Sequence, residues 1–185
     1  MKQIITKALI IVMMAVAGLE ANAQAISISS LNDALNEMAR SGVAVGFSPL
    51  VDVLEQSGYH QVKCSDSRGG NYVNIYAKNC KVKRLNNKGR GDEAYYQAIS
   101  PTANASIAEI LCSGDGTFLE LRVYVYGKAT AMKWVNQLKK AGYKCPAPGG
   151  LMGFSAWQYE KPGRDTITIW QRSDKADTYI LIVGY

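Results

Sequence analysis

The chain has 185 residues, 48% of them hydrophobic and 19% charged, with 21 Lys and Arg against 15 Asp and Glu for a formal net charge of +6. That balance excludes a disordered or low-complexity chain, and the length suits one compact domain or two small ones sharing a sheet. A single histidine and four cysteines narrow the catalytic and metal chemistries open to it.

Lys2 and Lys7 form a short positive region around the apolar run that opens at Ala8 and continues to Ala17. Gly18-Leu19-Glu20 then leads into Ala21-Asn22-Ala23, a small-x-small pattern. This predicts a secretory signal peptide over 1–23, cut after Ala23, with Ala23-Gln24-Ala25 as the alternative frame. The apolar run is well short of the ~20 residues that span a bilayer, and Glu20 interrupts its exit. The first cysteine is Cys64, so none stands at the cleavage site to take a lipid. A periplasmic or secreted bacterial protein is expected, with no later membrane span. Losing two lysines and one glutamate takes the net charge from +6 to +5. That charge suits an acidic protein partner, an anionic glycan or phospholipid headgroups, while nucleic acid is set aside for an exported chain.

Residues 24–46 read as an N-terminal helix and linker. Ser30-Leu31-Asn32-Asp33 has capping-box form, Leu31, Leu35 and Met38 share a face, and Gly42 supplies a stop, which predicts a helix over 30–41. A second helix starts at Ser48-Pro49, carries Leu50, Val51 and Leu54, and ends at Gly58. A third, over 129–141, carries Met132, Val135 and Leu138 and ends at Gly142.

The remainder reads as strands. Tyr72 to Tyr76, Phe118 to Tyr126 and Thr166 to Trp170 alternate in polarity, and 106–112 and 179–185 are β-rich. Leu50 to Tyr59 is echoed by Trp134 to Tyr143, with Val, Leu, Gly and Tyr in matching places and several strands after each copy. The expected fold is α+β: two tandem helix-then-antiparallel-meander modules, 47–127 and 128–185, forming one sheet with helices on one face. Lys81 to Thr102 is an insertion in the first module, crowded with Lys81, Lys83, Arg84, Lys88 and Arg90, with a helical turn expected over Asp92 to Ala98.

An even cysteine count in an oxidising compartment predicts two disulfides among Cys64, Cys80, Cys112 and Cys145. The third helix doubling back over the strand before it would bring Cys145 to Cys112 and leave Cys64 to Cys80. No Cys-x-x-Cys pair exists, so neither a metal site nor a cofactor is expected.

Catalytic sets are poorly supported. Any histidine-dependent nucleophile must use His60, whose place after the Gly58 stop suits an exposed residue, and an oxidised Cys64 is no nucleophile. Glu109 and Glu120 could act as acid and base, although strands on a wet face carry such residues routinely. Gly114-x-Gly116 is a turn with no helix after it.

The strands themselves carry the strongest signal. Alternation predicts Val73, Ile75, Leu119, Leu121, Val123, Val125, Ile167 and Ile169 toward the helices. The opposite set holds Tyr72, Asn74, Tyr76, Glu120, Arg122, Tyr124, Tyr126, Thr166, Thr168 and Trp170. Tyr, Trp and Arg are enriched at binding hot spots because they bury large area and keep a polar handle. The expected site is therefore Tyr72, Asn74, Tyr76, Arg122, Tyr124, Tyr126, Thr168 and Trp170. The expected function is a non-catalytic exported binding protein, inhibitor-like or immunity-type, for an envelope or secreted protein. A glycan-binding module and a small carboxylate-dependent hydrolase are the alternatives. In layout the chain resembles the secreted β-lactamase-inhibitor proteins, whose tandem modules and aromatic sheet surface imply an inhibitory protein partner.

Overall fold

A computed structural model describes residues 25–41, 48–68, 71–85, 96–113, 119–146, 148–151, 154–171 and 177–184, without the side chains of 64–68, 71, 148–151 and 154. The expected signal peptide, Gly42, the turns around Gly69 and Gly114, and the side chain of Cys64 lie outside them.

Three described helices, α1 (Ile28–Ser41), α2 (Ser48–Gln56) and α3 (Lys128–Lys140), pack on one face of an eight-stranded sheet. The protein is α+β. The strands in sheet order are β1 (His60–Arg68), β2 (Asn71–Lys78), β5 (Ser106–Ser113), β6 (Leu119–Tyr126), β10 (Thr178–Gly184), β9 (Ile167–Gln171), β8 (Phe154–Tyr159) and β7 (Pro148–Leu151), each antiparallel to its neighbour. Four strands follow α2 into one half of the sheet and four follow α3 into the other. The last strands of the two halves, β6 and β10, meet at the centre, from Thr178 opposite Tyr126 to Gly184 opposite Glu120.

Helix α1 starts at Ile28, two residues before the expected capping box. Ser27 precedes it, its Oγ accepting the Ser30 N–H at 3.3 Å and its carbonyl the Leu31 N–H at 3.0 Å. The Ile28 N–H donates instead to Gln137 Oε1 of α3 at 2.8 Å, which ties two helices together. Leu31, Leu35 and Met38 face the core as expected, as do Leu50 and Leu54 of α2. In α3 the buried stripe is Ala131, Trp134 and Leu138, and Met132 is 41% exposed. The i, i+3, i+7 row through the largest apolar ring sets the inward direction, and Met132 lies on the far side of it.

The sequence echo is matched in geometry. Gly58 and Gly142 both take φ +84°, and both helices close with a 3.0 Å bond from the next tyrosine N–H, Tyr59 to Leu54 O and Tyr143 to Leu138 O. Only glycine adopts that left-handed φ without strain. A lysine then seals each end: Lys78 Nζ donates to Ser57 O at 2.6 Å and Lys161 Nζ to Ala141 O at 2.6 Å. Each ammonium also lies over its tyrosine ring, at 5.8 Å for Tyr59 and 5.9 Å for Tyr143. Cations at a helix C-terminus satisfy orphan carbonyls and complement the dipole.

Two expectations are corrected here. The insertion is not helical where it is described: β3 (Lys81–Arg84) pairs with β4 (Tyr96–Ile99) as a separate two-stranded ribbon, and residues 92–95 lie outside the described set. The disulfides Cys112 to Cys145 and Cys64 to Cys80 are not formed. Cys112 is a thiol whose Sγ lies 3.7 Å from Tyr72 O, and Cys80 is a thiol whose Sγ lies 3.4 Å from Ser106 O. The reason lies in the path of α3, which ends over its own half of the sheet. Lys144, beside Cys145, pairs with Glu160 after β8, and β6, β10 and β9 separate β8 from the Cys112 strand.

Candidate functional site

On the face away from the helices, the register sets Ile75, Glu109, Arg122, Ile182, Thr168 and Gln158 side by side across six strands. The next row is Ala77, Ile107, Tyr124, Ile180, Trp170 and Ala156. The β3–β4 ribbon covers one end of this face. Val82, Tyr96 and Ala98 pack on Val73, Ile75, Ile107, Leu111 and Tyr124 to form a second apolar core. The Ala98 N–H donates to Tyr126 Oη at 3.4 Å and pins the ribbon to β6.

A polar group lies inside this core. Glu109 is 0% exposed and accepts from the Tyr124 hydroxyl at 3.1 Å. Burial, with the Glu109 charge beside it, pushes the Tyr124 pKa well up. Arg122 Nε is paired with the Glu120 carboxylate. Burial alone would lower the Arg122 pKa, but Tyr124, Glu120 and Glu109 together raise it, so the guanidinium stays charged. The expected acid and base, Glu109 and Glu120, are thus both committed, one to a buried hydroxyl and one to a guanidinium. General acid–base work needs a carboxyl within reach of substrate, and Glu109 is out of reach.

The expected aromatic face divides. Arg122, Tyr124, Tyr126, Thr168 and Trp170 do share the face away from the helices. Tyr72, Asn74 and Tyr76 do not: they stand cross-strand from Cys112, Ile110 and Ala108, on the helix side. Asn74 and Tyr76 are buried there, 3% and 2% exposed, while Val73 and Ile75 turn to the ribbon. Alternation failed on β2 because the ribbon covers its second face, so Val73 and Ile75 are buried like Asn74 and Tyr76 and polarity no longer marks the helix side, while Tyr72 near the strand's start is 47% exposed. Tyr124 is buried on Glu109 and Tyr126 holds the ribbon. That leaves Arg122, Thr168 and Trp170 partly exposed, with Ile182 and the exposed Gln158 between and beside them. Neither of these two was expected; the period-2 step from Trp170 to Thr168, carried across β10 and β8, is the signal that would have found them.

A second cluster looks chemical but repeats. Tyr59, Lys78 and Ser106 line a small cleft with Asn104 and Thr130. The Tyr59 and Ser106 hydroxyls are 2.6 Å apart, and Ser106 Oγ donates to Tyr124 O at 2.8 Å. Tyr143 and Lys161 build the same helix end in the other half, with Asn32 Oδ1 2.8 Å from the Tyr143 hydroxyl. A Tyr–Lys pair found at both helix ends belongs to the scaffold. His60 is exposed beside this end, as its place after the stop implied. No described helix is long and apolar enough to cross a membrane. Comparison of the chain with family models, curated proteins and solved structures finds no match.

Proposed function

We propose that the protein is an exported, non-catalytic binding protein of inhibitor-like or immunity type, which engages an envelope or secreted protein through the sheet face around Trp170. The observation that carries this reading is the unequal cover of that face. The ribbon closes it over Glu109, while Trp170, Thr168, Ile182 and Arg122 stay partly open. Tryptophan and arginine are the residues most enriched at interface hot spots. Arg122 is held by Glu120 before any partner arrives, so less side-chain freedom is lost on binding.

The test is capture from envelope extract and culture medium with the chain from Gln24 onward. One stoichiometric protein is expected, its affinity falling by about 2 kcal/mol, roughly 30-fold, on Trp170→Ala. Capture that ignores Trp170→Ala and Arg122→Ala alike would reject the face. An empty capture with a tryptophan fluorescence response to polysaccharide would move the reading to a glycan-binding module.

A further inference from the structure

We infer that the outward face of the β3–β4 ribbon is a peripheral contact for an anionic phospholipid surface. Along β3, Val82 turns into the second core, so Lys81 and Lys83 turn outward, and both are exposed. Their cross-strand partners are Ile99 and Gln97. Arg84 at the strand end is exposed as well, and no acidic residue stands on either strand. Ile99, directly across from Lys81, is 47% exposed.

Lysines alone would fit a guarded edge, since charge on an isolated ribbon blocks further strand pairing. An exposed isoleucine among them defeats that purpose. Together they make the pattern of an interfacial contact, in which the apolar group enters below the headgroups and the cations lie at phosphate depth on their aliphatic stems. An acidic protein or a sulfated glycan would use the lysines and gain little from Ile99. The other half joins β8 to β9 through residues 160–166 with no ribbon, so its meander closes without such an element. The contact uses none of the residues around Trp170 and stands apart from the partner-binding reading.

The experiment is cosedimentation of the chain from Gln24 onward, which holds every described element, with phosphatidylglycerol–phosphatidylcholine vesicles and with phosphatidylcholine alone. Binding to the anionic vesicles only, lost at high salt, is expected. The double variant Lys81→Gln/Lys83→Gln weakens it about 25-fold, at about fivefold per charge. Ile99→Ser weakens it several-fold at unchanged charge, with the far-UV spectrum and melting temperature of all variants held. No binding to anionic vesicles overturns the inference. So does binding to vesicles or heparin that needs the lysines and ignores Ile99→Ser, which marks a soluble polyanion. Trp170→Ala leaves vesicle binding unchanged, so this inference and the partner-binding reading fail separately.

Discussion

Helices α2 and α3 end alike, down to the glycine, the tyrosine and the lysine that seal them, yet the meanders that follow differ on their far side. Behind α2 the sheet is buried twice, under helices on one face and under the ribbon on the other, with Glu109 and Tyr124 enclosed between. Behind α3 it is buried once, and Trp170, Thr168 and Gln158 reach solvent. Near-repetition therefore sorts the molecule: what occurs in both halves holds the fold, and what occurs in one is where function is worth seeking.

The largest test of that equivalence is core truncation at Leu50 and Trp134, which hold the same place in the echo and are both 0% exposed. Leu50→Ala should cost about 2–5 kcal/mol and Trp134→Ala about 3–5 kcal/mol in urea denaturation. Because β6 and β10 join the halves, circular dichroism and fluorescence should report one coincident transition in both variants. Two separated transitions would break the single-sheet account. Next come the sealing lysines. Lys78→Met and Lys161→Met should each cost about 1.5 kcal/mol, since each removes a charged donor from a helix-end carbonyl. A loss confined to one of them would show that only one helix needs its seal.

Smaller again, Gly58→Ala and Gly142→Ala force a side chain into φ +84° and should each lose about 1 kcal/mol by thermal melting. The smallest effect is a pH dependence. Burial raises the pKa of Tyr59 above the ordinary 10.0, and the Ser106 hydrogen bond only partly offsets it. Below pH 10.0 both folded and unfolded chains keep that proton, so its contribution is constant. Above it the unfolded chain ionises first and stability falls. Tyr59→Phe should therefore cost about 1 kcal/mol at pH 8, through the lost hydrogen bond, and progressively less above pH 10.0. A cost that stayed constant with pH would place the hydroxyl in water.

Much of the scaffold was legible because its signals are local. Ser48-Pro49, Gly58 and Gly142 mark helix ends through one or two residues each, and Leu31, Leu35 and Met38 carry their period within a single helix. The second half of the face was legible for the same reason: Thr168 and Trp170 alternate against Ile167 and Ile169, and one face of β9 is wet. What was not legible depends on distant chain. Tyr76 and Val73 exchange sides because the ribbon of residues 81–84 and 96–99 covers β2, and no property of β2 announces it. Glu109 reads as a wet-face acid until Tyr124 and the ribbon enclose it. Pairing Cys112 with Cys145 assumes that the chain after α3 returns to the start of the strand before the helix, whereas Lys144 pairs with Glu160 after β8. One missed signal was present: Tyr76-Ala77-Lys78 and Tyr159-Glu160-Lys161 repeat a Tyr-x-Lys step after each echo.

The central position of β10 shapes how the molecule is completed. It is synthesised after every other described strand, yet it belongs between β6 and β9, with Leu181 fully buried at its middle. Until β10 is made, β6 and β9 each present an open edge that any extended segment, the chain's own or a neighbour's, can occupy. Closure is the insertion of one keystone strand into a waiting slot. Time spent before that insertion, rather than the strength of either meander, governs the chain's exposure to misassembly.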